Sequence, residues 1–209
     1  MAILKVNPTR MELTRLKGKL KTAVRGHKLL KDKRDEMVRQ FMILVKENRK
    51  LRVDVEKELG IAFNNFLTAS LTMSAVDLQE AMMFPAKDYT LTVSKKNIMS
   101  VQVPGIEYEE KPMENMFYPY GVLNTSGELD IAVESLSQVL PKLVRLAELE
   151  KTCNMLADEI EKTRRRVNAL EYVMIPQFEE TIRYIKMKLD ENDRGNTTRL
   201  MKMKASMVG

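Results

Sequence analysis

An all-α dominated fold is predicted: a long antiparallel two-stranded coiled coil with a kinked C-terminal helix and a small β-hairpin insert. Three observations predict it. Leu13, Leu16, Leu20, Ala23, His27, Leu30, Arg34, Met37, Phe41, Leu44, Asn48, Leu51 and Val55 alternate in steps of three and four, forming an a/d seam flanked by Lys, Arg, Glu and Asp. So narrow a stripe needs one long partner helix. Leu146, Leu149, Cys153, Leu156, Ile160, Thr163, Val167, Leu170 and Met174 supply it, continued by Phe178, Ile182, Ile185 and Leu189 after a run of four-residue steps that reads as a stutter. Between the two arms, residues 85–127 lose the helical period. The predicted organisation is therefore an N-terminal helix over 1–84, an insert over 85–127 and a C-terminal helix over 128–209.

Composition agrees. Charged residues make up 31% and aromatics 6% of the chain, with no Trp, as in coiled coils. The single cysteine, Cys153, excludes an internal disulfide and fits a reducing compartment. No segment offers the roughly 18 uncharged apolar residues of a membrane span, and no charged-then-apolar leader opens the sequence, so a cytoplasmic protein with no direct membrane insertion is expected. The net charge of +6 is uneven. Residues 1–34 hold eleven Lys/Arg against Glu12 and Asp32, and residues 194–209 hold Arg194, Arg199, Lys202 and Lys204 with no acid, whereas residues 83–135 carry eight acids against four lysines.

Taken in order, Asn7-Pro8-Thr9 opens the first helix, because a proline in the first turn gives up an N–H that has no partner there. That helix is predicted to run towards residue 80, with Gly18, Gly26 and Gly60 tolerated at about 1 kcal/mol each. From Ile61 to Phe84 apolar residues appear on several faces, which calls for more than one neighbour. Thr90–Val93 and Ile98–Val103 read as two strands separated by Ser94-Lys95-Lys96-Asn97 and stopped by Pro104-Gly105. A lone hairpin is marginal in water, so it should lean on the adjoining helices or on another subunit. The second helix starts near Ser126, and Pro141 and Pro176 are predicted to kink it without ending it, since the apolar pattern resumes beyond each. Two equal arms joined by a central insert fold back antiparallel, which brings the basic termini together at one tip.

The residues offer little chemistry. No P-loop pattern is present, since Gly18-Lys19 is followed by Leu20. One histidine and one cysteine, far apart in sequence, make neither a zinc site nor a convincing nucleophile–base pair. His27, Arg34 and Asn48 at the seam read as register-setting or partly solvated residues. Arg164-Arg165-Arg166 reads as a solvated face, and the sixteen methionines as gap-fillers. No catalytic residue, metal or cofactor is expected.

Asn7-Pro8-Thr9-Arg10 with Leu13, Leu16 and Leu20, then Gly26-His27-Lys28-Leu29-Leu30-Lys31-Asp32-Lys33-Arg34-Asp35-Glu36, resembles the opening of the D subunit of V-type and archaeal-type ATPases. Arg165-Arg166-Val167-Asn168-Ala169-Leu170-Glu171, Ile175-Pro176 and the stretch from Arg194 to Lys204 resemble that family's C-terminal helix. The short C-terminal end is similar to bacterial members. The resemblance implies a non-catalytic central shaft of a rotary motor that joins ATP hydrolysis or synthesis to ion transport, peripheral to the membrane. Its implied partners are the catalytic and non-catalytic subunits of the hexamer, the small F subunit of the rotor and a socket subunit on the membrane ring. On that reading the hexamer-facing tip comprises Arg10, Arg15, Arg194, Arg199, Leu200, Lys202, Met203 and Lys204. Phe63, Phe66, Leu67, Leu136 and Leu140 hold the F subunit. Leu91, Val93, Ile98 and Val101 belong to a hairpin that the seam does not need, so its removal is expected to leave the coiled coil folded; it either regulates turnover or only caps the apolar faces of the two helices. The alternatives are a basic coiled coil that binds nucleic acid, disfavoured because residues 1–34 contain no aromatic for base stacking, and a scaffold for membrane remodelling, disfavoured because the charged faces lack the large one-sided apolar face of an interfacial helix.

Overall fold

The computed structural model describes residues 4–83, 87–112, 120–121 and 125–208. The elements are α1 (Arg10–Thr72), α2 (Ala75–Ala81), β1 (Lys87–Ile98), β2 (Val101–Pro112), α3 (Gly127–Ala169), a π-turn (Leu170–Met174) and α4 (Ile175–Val208). They fall into two compact units, one of residues 1–36 and 160–209, the other of residues 37–159.

In the first unit, Leu16, Ile182 and Ile185 form the core, packed by Leu4, Leu13, Leu20, Phe178, Tyr184 and Leu189. These are mostly seam residues from both arms, and the antiparallel sense follows from the pairs: Arg10 meets Asp193 at 3.1 Å and His27 meets Glu171 at 3.3 Å. The Leu4 N–H donates to Thr181 Oγ1, tying the segment before α1 to α4. Thr9 begins the helix by accepting from the Glu12 N–H through its hydroxyl.

The second unit is antiparallel too, with Glu47, Arg52 and Glu58 of α1 paired to Arg145, Glu150 and Lys142 of α3. At one end Ala69, Ala81 and Leu129 are buried together, covered by Phe66, Met73, Leu78, Tyr120 and Val133. Every α1 seam position from Leu13 to Val55 is buried or half-buried. Among the second arm's seam residues only Met174 is exposed.

Four details differ from the sequence reading or sharpen it. The first helix stops at Thr72 instead of reaching 80, because Ser74 caps a new helix: its Oγ accepts from the Asp77 N–H and donates to the Asp77 carboxylate. The hairpin turns at Met99-Ser100, not at 94–97. Both residues have positive φ (51° and 71°), and the Asn97 side chain accepts from the Ser100 N–H at 2.9 Å. Ser94–Asn97 consequently lie inside β1, and β2 runs through Pro104-Gly105. Counted from the two-residue turn, Lys95 and Pro104 form a non-hydrogen-bonded pair, so the missing N–H faces the open edge and breaks no rung. Gly105 leaves room there for the Lys96 side chain, whose Cε lies 2.5 Å from where a Cβ would stand and would have to move aside for one.

The two prolines differ in their effects. α3 continues through Pro141. Before Pro176 the chain makes a π-turn, the Ile175 N–H donating to the Leu170 carbonyl five residues back. The run of four-residue steps is thus one wide turn rather than a smooth unwinding.

Candidate interaction surfaces

Three surfaces emerge, each contained in one unit. The first is the end of α4. From Asp190 onward only exposed residues occur up to Met207. Leu200, Met203 and Met207 recur at i, i+3 and i+7 on one face and touch no core, while Arg194, Arg199, Lys202 and Lys204 are exposed around the rest of the helix. Arg10 and Arg15, grouped with them from sequence, are already paired, with Asp193 and Glu12 respectively. Those two offer less unbalanced charge to a partner.

The second surface lies at the far end of α1 in the other unit. Phe63, Leu67 and Leu71 are 56%, 58% and 86% exposed and share one face at i, i+4 and i+8. Phe66, named with them from sequence, turns the other way into the Ala69–Leu129 core. Leu136 and Leu140 are half-buried on α3, whose fully buried neighbour is Val139. Leu71 shares this exposed face and was not singled out from sequence; the four-residue steps from Phe63 to Leu67 to Leu71 were its signal. Phe84, the last residue of that apolar stretch, lies outside the described residues.

The third surface is the hairpin, whose two faces do different things. Ile98, Val101 and Val103 pack with Leu156, Phe41, Leu44 and Met155, so the turn half belongs to the helical core. A two-stranded ribbon gains its stability here from helix contacts, and the helices gain cover. Leu91 and Val93 stand on the other face, 56% and 66% exposed, beside Ile106 and the stacked rings of Tyr89 and Tyr108. Burial of its hydroxyl, with Tyr89 and Glu110 nearby, pushes Tyr108 up to about 12, so this phenol stays neutral at physiological pH.

A buried acid latches the turn half. Glu148 is only 6% exposed, and it accepts from Arg145 at 2.6 Å and from Lys96 at 3.3 Å. Burial works against its ionisation, but the hydrogen bonds from Arg145 and Lys96 outweigh that and hold the carboxyl below its ordinary value of 4.5. A depressed folded-state pKa gives stability that is present above the unfolded value and lost as pH falls through the folded one. Hairpin docking is therefore expected to hold at neutral pH and to loosen below about pH 4. Amide exchange across residues 96–103 on a descending pH series measures this, and Glu148→Gln should remove the pH dependence.

The π-turn adds three consecutive exposed apolar residues, Tyr172, Val173 and Met174. Glu171 beside them binds His27, which is partly buried at the seam. Burial raises the Cys153 thiol pKa, with Glu150 and Glu47 adding to the effect, so this cysteine is a poor nucleophile. Among the described residues no group of His, Cys, Asp and Glu is placed to hold a metal, and no helix is long and apolar enough to cross a membrane.

Two helical arms that expose apolar and basic contact faces define a coiled-coil protein made for assembly with other proteins. The family model for the D subunit of ATP synthase matches residues 12–205. The V-type ATP synthase D subunit of Thermoanaerobacter sp. (strain X514) is 58% identical over 208 residues, covering 100% of this chain and 99% of that protein. The proteins of the same name from Clostridium botulinum (strain Langeland) and Fusobacterium nucleatum are each 58% identical, over 98% of this chain and 95% and 97% of their own lengths. This chain belongs to the family of ATP synthase D subunits.

Proposed function

We propose that the chain is the central rotor shaft of a V-type rotary ATPase, coupling ATP hydrolysis or synthesis in a hexamer of catalytic and non-catalytic subunits to rotation of a membrane rotor and ion transport. Family membership along almost the whole chain carries the reading. The α4 end supports it, being helical while each residue from Asp190 to Met207 is exposed. Leu200 and Met203 supply apolar anchors within the hexamer, and Arg194, Arg199, Lys202 and Lys204 supply charge. Phe63, Leu67 and Leu71, with Leu136 and Leu140 on α3, hold the F subunit, and a socket subunit joins the shaft to the membrane ring. The shaft works in the cytoplasm, peripheral to the membrane. ATP is handled on other subunits. What the shaft contributes is a surface that differs from side to side, so each angle favours a different conformation of the catalytic site it faces; an interaction shifts a conformational equilibrium only where it differs between states. The open hairpin face, Leu91 and Val93, tunes turnover.

The test is reconstitution of the full chain with the ring of nucleotide-binding subunits. Leu200→Asp combined with Met203→Asp is expected to reduce association at least tenfold while circular dichroism stays unchanged, because both side chains are exposed in the free chain. Failure of the unaltered chain to associate with that ring overturns the reading.

A further inference from the structure

We propose that His27 and Glu171 form a proton-dependent clamp on the π-turn, which is held against α1 while His27 carries its proton and opens locally when it does not.

Little else holds this turn. None of Leu170–Met174 is buried, and none belongs to the core of Leu16, Ile182 and Ile185 or to the side chains packed against it. Segments with few buried contacts open at a small fraction of the global unfolding free energy. Among the described residues, the contact of Glu171 Oε2 with His27 Nε2 at 3.3 Å is the one hydrogen bond or ion pair that joins the π-turn to α1. Its α1 end is sheltered, since the His27 side chain is 19% exposed against 46% for Glu171.

His27 is the only histidine of the chain, and imidazole is the side chain whose ordinary charge change falls between about pH 5 and 8. By position, Glu171 is the one acid set to favour the imidazolium. Lys28 and Lys31 of α1 and Arg166 near the end of α3 are exposed cations that oppose it. Asn168 and Ile175, about one turn from Glu171 on either side, carry no charge, and the first turn of α4 has no acid. The nearest acid of α1, Asp32, is five residues on and about 140° round the helix from His27. Imidazolium and carboxylate attract, so the hold is present on the acid side of the imidazole titration and is lost as pH rises through it. Ionised Glu171 is needed as well, which makes mildly acidic solution the condition of the closed clamp.

The experiment uses the full chain, free in solution. Amide protection is taken relative to the intrinsic exchange rate at each pH and read at Met174 and Ile175, the latter closing the turn on the Leu170 carbonyl. Protection there is expected to be about threefold to fivefold greater at about pH 6 than at about pH 8, the size of a part-exposed ion pair. Amides of Leu16 and Ile185 in the core should keep the same protection at both. Glu171→Gln should remove the difference and move the titration midpoint of the single imidazole resonance downward. His27→Gln should remove the difference too. Equal protection of the turn at the two pH values in the unaltered chain would overturn the clamp. So would a difference that persists in Glu171→Gln, or a midpoint that this change leaves in place. A parallel change in the core amides would make the event global unfolding, which also overturns it.

Discussion

Replacing Phe63, Leu67 and Leu71 with Asp is expected to abolish binding of the F subunit while leaving the shaft helical. The three side chains are more than half exposed, so their replacement removes little from the core. Apolar and aromatic anchors of an interface commonly cost about 2 kcal/mol or more each when lost. Three of them, together with buried charge, should weaken the complex by at least about a thousandfold, beyond detection in a pull-down. Phe66→Asp is the informative contrast. Because Phe66 packs on Ala69 and Leu129, that single change should lower the unfolding temperature of the free chain, which the triple variant should not do. Undiminished binding of the triple variant would remove this face as the docking site.

Leu156→Ala should produce the largest loss of stability. Leu156 is 1% exposed and sits where Val101 and Val103 of the hairpin meet the helices, so truncation opens a cavity beneath the hairpin. A buried Leu→Ala change costs about 2–5 kcal/mol. Amide protection of β1 and β2 should fall with the helix around residue 156, since one core serves both. Leu91→Ser with Val93→Ser reports on the opposite face: unfolding should be little changed, and ATP turnover of the reconstituted motor should shift. If turnover stays constant while Leu156→Ala unfolds the hairpin, the hairpin is structural cover only.

The seam was readable because its period survives in the burial of each α1 position from Leu13 to Val55; a heptad is a local pattern, and packing obeyed it. The α1–α2 break was also written in the sequence, as Ser74-Ala75-Val76-Asp77, but continuing apolar residues masked it. The hairpin turn was not readable in the same way. Met99 and Ser100 occupy left-handed conformations that normally announce themselves as Asn or Gly, and the decision was made by Ile98 and Val101 reaching the helices on either side of the turn. Phe63 and Phe66 are indistinguishable by composition, three residues apart on a helix apolar on several sides. Only the neighbour on one flank, Leu129, determines which of them is core. The tip cations were visible as charge, but the pairing that neutralises Arg10 and Arg15 depends on which acids the fold brings near.

The π-turn before Pro176 has a consequence for how this chain can vary in length. A five-residue hydrogen-bonded turn takes up one residue more than an α-turn does, which keeps Phe178, Ile182 and Ile185 on the seam where an unbroken α-helix would have carried them about 100° round the axis. Loss of one residue between Leu170 and Met174 would let the wide turn close to an ordinary α-turn with those three still facing Leu16. Along this stretch a three-base deletion is therefore a smaller event than it is elsewhere in the two arms, where nothing absorbs the change of phase.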